Sequence, residues 1–95
     1  MLSKSIVAQE TERCFLCGTT IGLEEHHIFF GTANRKLSEK YGLTVPLCHG
    51  CHRTNHHAVH RNRKYDVKLK QIAQRCFERN YSHELFMDEF GRNYI

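Results

Sequence analysis

Four cysteines fall in two C-x2-C pairs, Cys14/Cys17 and Cys48/Cys51, and eight histidines accompany them, six between positions 26 and 57. A C-x2-C turn brings two sulfurs to one ion, and two such turns complete a tetrahedral four-thiolate site for a structural Zn2+. Gly18 follows the first pair and Gly50 lies inside the second, and both suit a tight turn. Buried reduced thiols are the plainer reading, but two correctly spaced pairs in a chain with no evident secretion signal favour a metal. A Cys2His2 finger built from Cys48, Cys51, His56 and His60 fits poorly. Only residues 52–55 separate its halves, where such a finger needs about twelve, and Cys14 and Cys17 would be left without a role. Cys76, the fifth cysteine, reads as a small core residue.

The histidines form two groups. His26 and His27 are adjacent in EEHHIFF, and on a strand adjacent side chains point to opposite faces. One can bind a metal while the other faces a substrate. The second group is CHGCHRTNHHAVH, with His52 directly after the last knuckle cysteine and His56, His57 and His60 close behind. A zinc ion shared by both C-x2-C turns would draw this segment against the His26/His27 strand. In an unbroken helix His56 lies about 6 Å along the axis from His52 and His60 about 12 Å. His56 is thus the simple helical partner of His52, and His60 joins it only if the chain turns near Thr54–Asn55. His49 and His83 read as solvated.

This constellation resembles the HNH, or ββα-metal, nuclease family, in particular its small bacteriophage and prophage members. The matching residues are the Cys14–Cys17 knuckle, the His26–His27 doublet, PLCHGCH at 46–52 and the histidines that follow. The resemblance implies that His26 is a metal ligand, His27 the general base and His52 a further ligand. The A-V-H position of the phage-type proteins corresponds to His60, which favours His26, His52 and His60 as the set and an irregular 53–58 segment. The family's middle Asn, which mainly holds a loop in shape, is replaced by Leu43. The implied activity is hydrolysis of DNA phosphodiester bonds. A neutral His27 takes the proton of the attacking water, and a divalent ion (Mg2+, Mn2+, Ni2+ or Zn2+) stabilises charge on the phosphorane and the leaving 3′-oxygen. Phage or host recombination and packaging proteins are the partners such a role suggests. The competing reading is a non-catalytic zinc-knuckle module that binds nucleic acid or protein.

Cations surround these positions. Arg35, Lys36 and Lys40 precede the second knuckle, and Arg53, Arg61, Arg63 and Lys64 flank the later histidines. Arg35, Lys36 and Arg53 are the candidates for contact with DNA phosphates. A net charge of +4 and a pI of about 8.9 suit a polyanionic partner.

The elements that must position these groups are short. Leu23–Phe30 reads as a strand or hairpin, broken by Gly31 and Thr32. Residues 33–41 favour a helix stopped by Gly42. Residues 43–47 read as an extended approach to the second knuckle. An amphipathic helix spans 64–79, with Tyr65, Leu69, Ile72 and Cys76 as its apolar stripe. Ser82 can cap a last helix through Phe90, with Gly91 beyond it. Residues 1–12 read as a flexible arm and 13–95 as one domain. The expected fold is a small zinc-stapled α+β domain of the ββα-metal kind, with a short β-hairpin and C-terminal helices. A chain of 95 residues buries too little core to dispense with a staple. The mean hydropathy of −0.57 and the lack of any long apolar run exclude a membrane span. The expected location is cytoplasmic, in the host cell if the gene is a phage's.

Overall fold

The computed structural model describes residues 5–54 and 58–95. Strand β1, Leu23–His27, leads to helix α1, Thr32–Tyr41, and strand β2, Thr44–Cys48. A five-residue π-helical turn, Gly50–Thr54, follows, and helices α2, Arg63–Asn80, and α3, His83–Phe90, complete the chain. The architecture is α+β. Among the described residues, no helix is long and apolar enough to cross a membrane.

β1 and β2 pair antiparallel, with Leu23 opposite Cys48 and His26 opposite Val45. The hairpin is therefore not contained within residues 23–30: β1 ends at His27, and its partner lies beyond α1. Pro46 sits within β2 without cost, because its carbonyl points away from β1 and accepts the Phe15 N–H at 2.8 Å. Its missing N–H therefore falls on the edge side, where proline is tolerated in a sheet.

Local signals set the helix ends. Gly42 and Gly91 close α1 and α3 at φ 71°, the left-handed conformation that glycine adopts without a Cβ clash. The Ser82 side chain accepts the Leu85 N–H at 3.0 Å, and the Asn62 side chain accepts that of Lys64, also at 3.0 Å. Such caps satisfy donors that the first turn of a helix leaves open.

The core lies where α2 and α3 meet the strands. Phe29, Phe77 and Phe86 are fully buried, with ring centroids of Phe29 and Phe77 each about 5.5 Å from Phe86 (5.6 and 5.4 Å). Phe77 also packs edge-on against Tyr41. This aromatic contact corrects the stripe read from the sequence. Leu69 and Cys76 are buried, but Tyr65 is 37 % exposed, and the inward face of α2 runs through Leu69, Ala73 and Phe77. The N-terminal segment differs as well. Ala8 is buried, Ile6 and Val7 pack against the core, and the Ile6 N–H bonds Gly42 O at 2.9 Å. Residues 6–8 are apolar enough to leave water for this groove, so that part of the expected arm lies against the body, while Gln9, Glu10 and Glu12 are exposed.

Ser38 fixes the turn after β1. Its hydroxyl donates to Phe29 O at 2.7 Å and accepts the Phe29 N–H at 3.2 Å, fully buried. The Ile28 N–H donates to Leu43 O at 3.1 Å. Buried backbone groups left open here would each cost about 1–3 kcal/mol. The hydroxyl thus ties α1 to the end of β1, close behind the histidine doublet.

Candidate metal centres

The two C-x2-C turns come together. The four Sγ atoms of Cys14, Cys17, Cys48 and Cys51 lie within 4.8 Å of one another, and Cys17 and Cys48 approach to 3.6 Å. A tetrahedral zinc thiolate site with bonds near 2.3 Å sets its sulfurs about 3.8 Å apart, so the set has the dimensions to hold structural zinc. The turns are also shaped for thiolates. The Cys17 N–H points at Cys14 Sγ and the Cys51 N–H at Cys48 Sγ, both at 3.4 Å. Burial opposes charge on Cys14, but backbone N–H groups of Cys48, Cys17 and Leu16 together lower its thiol to about 6. Burial and the adjacent Cys48 push Cys51 up instead. One cluster with such opposed tendencies needs a cation to hold all four sulfurs as thiolates. Cys76 lies apart, buried on α2, where it accepts a hydrogen bond from Arg79 at 3.2 Å.

The knuckle register carries the histidines to their places. His26 leaves β1 on its buried face and is 1 % exposed. His52 lies in the π-helical turn directly after Cys51. The chain then returns on itself, for the Val59 N–H bonds Cys51 O at 3.0 Å and the His60 N–H bonds His52 O at 3.4 Å. This return brings the His60 ring centroid to 4.6 Å from that of His52, despite the separation along the chain. Arg53 and Thr54, expected in an irregular connector, instead belong to the π-helical turn. His56, the rival ligand, lies outside the described residues, as does the rest of the connector at 55 and 57.

Nε2 of His52 is 3.2 Å from His26 Nδ1 and 2.9 Å from His60 Nε2. The Nδ1 of His52 faces Glu24 Oε1 at 2.6 Å. A carboxylate only accepts, so His52 Nδ1 donates to Glu24, and Nε2 is the nitrogen left for the other two rings. One lone pair cannot serve two in-plane hydrogen bonds well, whereas one cation can accept all three nitrogens. Nitrogens bound to a tetrahedral zinc-like ion lie about 3.3 Å apart. His26 Nε2, the ring's other nitrogen, is buried with no hydrogen-bond partner among the described residues. Burial, then the neighbouring charges of His52 and His60, lower His26 to about 2, and burial lowers His60 too. These rings therefore stay neutral, as metal ligands must. The fit to a divalent ion is good.

Glu24 is a residue that the sequence reading missed. Its hydrogen bond from His52, against a smaller effect of burial, lowers the carboxyl to about 2. Arg53 Nε and His49 Nδ1 also reach it, each at 3.3 Å. A carboxylate behind a metal-binding imidazole orients the ring and raises its basicity. The signal was present: Glu24 and His26 are two apart on a strand and share a face.

His27 points elsewhere. Its Nε2 is 2.9 Å from Glu39 Oε1 on α1 and 3.9 Å from Glu25. Glu25, His27 and Glu39 also converge within ligand distance, but the 2.9 Å contact already has the geometry of a hydrogen bond to an acceptor. Since a carboxylate only accepts, His27 Nε2 is the donor to Glu39, and Nδ1 is the ring's other nitrogen. Both faces of the strand end meet in one cavity of about 480 Å³, lined by His26, His27, His52, His60, Arg35 and Arg53 among others. Lys36, the third candidate for phosphate contact, is exposed on α1 and does not line it.

No protein-family model matches this chain, and no curated protein or solved structure matches it either.

Two outcomes are expected. Stripping zinc from the four cysteines with a strong chelator unfolds the domain, seen as loss of far-ultraviolet ellipticity, while Cys76→Ser keeps its zinc; a well-folded protein that contains no zinc by elemental analysis refutes the staple. Glu24→Ala weakens Ni2+ binding to the zinc-loaded protein about 10–100-fold by calorimetry, and an unchanged affinity contradicts the role given to Glu24.

Proposed function

We propose that this protein is a metal-dependent endonuclease of the HNH type that hydrolyses DNA phosphodiester bonds. One observation carries the reading: three imidazole nitrogens converge at His26, His52 and His60, on a cavity that also presents His27 and two arginines. A divalent ion held by the three rings would act as a Lewis acid toward the charge that grows on the phosphoryl oxygens and the leaving 3′-oxygen. Neutral imidazoles suit that task, since they leave the positive charge of the ion undiminished.

The chain's own residues account for the rest. His27 Nδ1 is the general base. It takes a proton from water as the water oxygen bonds to phosphorus and the bond from phosphorus to O3′ breaks. Glu39 accepts the Nε2 proton of His27 at 2.9 Å, which fixes the tautomer and the ring's orientation as a carboxylate does for other catalytic histidines. Arg35 and Arg53 stand at the cavity wall, where their forked donors suit a phosphate. The loop constraint that the family assigns to its Asn has a substitute here. Leu43 is buried in the core, and Ser38 holds the turn after β1 through both backbone groups of Phe29.

Incubation of supercoiled plasmid with Mg2+, Mn2+ or Ni2+ tests the proposal. The wild-type protein is expected to nick the plasmid, and His27→Ala to lose about 10²–10⁴-fold in rate while retaining its fold and both metal sites. Native-rate cleavage by His27→Ala contradicts the general-base role. Absence of nicking by the wild type with every ion leaves only a zinc-knuckle binding module.

A further inference from the structure

Phe30 lines the histidine cavity and also a second one of about 200 Å³. Asn34 of α1 lines the second cavity as well, and the rest of its walls come from two elements. The first turns of α2 present Arg63, Asp66 and Lys70 on one face, at the i, i+3, i+7 spacing of helical neighbours. The C-terminal tail contributes Arg92 and Tyr94. Two side-chain amides pin that tail to α2: the Tyr94 N–H donates to Oε1 of the buried Gln74 at 2.8 Å, and Nε2 of the half-buried Gln71 donates to Tyr94 O at 3.0 Å.

The charges in this cavity do not balance. Lys70 is only 7 % exposed. Its ammonium lies 2.5 Å from Asp66 Oδ1 and 4.0 Å from the Phe30 ring centroid. Arg63 and Arg92, both exposed to solvent, line the same space, so three cations face one carboxylate among the lining residues. Burial disfavours the Lys70 ammonium; the hydrogen bond and charge of Asp66 offset part of that, and the like charges of Arg63 and Arg92 add a smaller effect against it. A mobile anion is the group that relieves such an excess. The positive end of α2 points the same way. A volume of about 200 Å³ is worth roughly six waters, which is room for a phosphate group with some hydration.

We propose that the pocket formed by Arg63, Lys70 and Arg92 binds a backbone phosphate of the DNA strand, while the strand's scissile phosphate lies across Phe30 at the histidine cavity. The anion site stands on its own residues; its assignment to the substrate strand rests on the nuclease reading above. Arg63 and Arg92 grip the phosphate through their forked N–H donors, and Lys70 supplies charge from the pocket floor. The pocket fixes the register of the strand and reads no base.

Binding of a fluorescent DNA duplex to the zinc-loaded protein, with no other divalent ion added, tests this by anisotropy across a range of salt. Each lost phosphate contact lowers the slope of log K against log salt by about 0.9. The double variant Arg63→Ala/Arg92→Ala is expected to show that loss, while Lys68→Ala, on the opposite side of α2, keeps the wild-type slope. In the same proteins, inorganic phosphate is expected to shift the arginine side-chain NMR signals of the wild type. A wild-type slope in the double variant overturns the proposal, as does an equal loss in Lys68→Ala, which marks general electrostatics. A response to inorganic phosphate without any change of slope overturns the assignment to the strand. Plasmid nicking by the wild type separates the two readings. Nicking with an unaltered slope removes only the phosphate pocket, and a lowered slope without nicking removes only the nuclease.

Discussion

The pairing of β1 with β2 sets Leu23 opposite Cys48 and His26 opposite Val45, and both groups of donor atoms depend on that register. A slip of one residue would exchange the faces of β1. Glu24 and His26 would then face outward, and Glu25 and His27 would be driven into the core. The cysteine cluster guards against the slip from one end, because Cys48 ends β2 and must also meet Cys14, Cys17 and Cys51. Ser38 guards the other end through its bonds to Phe29. Two five-residue strands have little stability of their own. They hold their register because the four-cysteine cluster closes one end and a buried hydroxyl the other.

The histidine cluster shows what that register demands electrostatically. Three imidazoles packed with centroids near 5 Å (5.0, 5.0 and 4.6 Å) cannot all be protonated in a low-dielectric site. Burial keeps His26 neutral, and Glu24 fixes the tautomer of His52. What remains is three ring nitrogens crowded around His52 Nε2, which cannot accept well from both neighbours, and a cation among them would relieve the contact. The buried and unpartnered Nε2 of His26 adds to that cost. Structures keep such local cost where function requires it. Phe30 borders the histidine cluster and the Lys70 pocket together, so the two share one aromatic wall.

Much of this could be read from the sequence where the cause is local. The Cys pairs, the caps at Ser82, Gly42 and Gly91, and the limits of all three helices follow from residue type within one turn of chain. What escaped depends on contacts distant in sequence. Nothing within residues 23–30 says that the partner of β1 lies beyond α1. The stripe on α2 was displaced because Phe77 meets Tyr41 and Phe86, neither of which lies on that helix. Glu39 reaches His27 only because α1 folds back over the end of β1. Residues 5–8 looked like solvated chain because their groove is built from other segments. The approach of His60 to His52 is the instructive case. Helical spacing alone favoured His56, and family likeness pointed to His60; a backbone return bonded at Val59 and His60 produces the approach.

The chain's two donor sets differ in chemistry, one built from thiols and one from imidazoles, and each has the dimensions of a metal site. Anomalous scattering at the zinc edge, from crystals grown with excess Zn2+, shows whether both take an ion. Two peaks are expected for each chain. One lies among Cys14, Cys17, Cys48 and Cys51, and the other lies about 2.1 Å from one ring nitrogen each of His26, His52 and His60. A peak at the cysteines alone, with the three imidazoles bonded only to one another, would contradict that expectation.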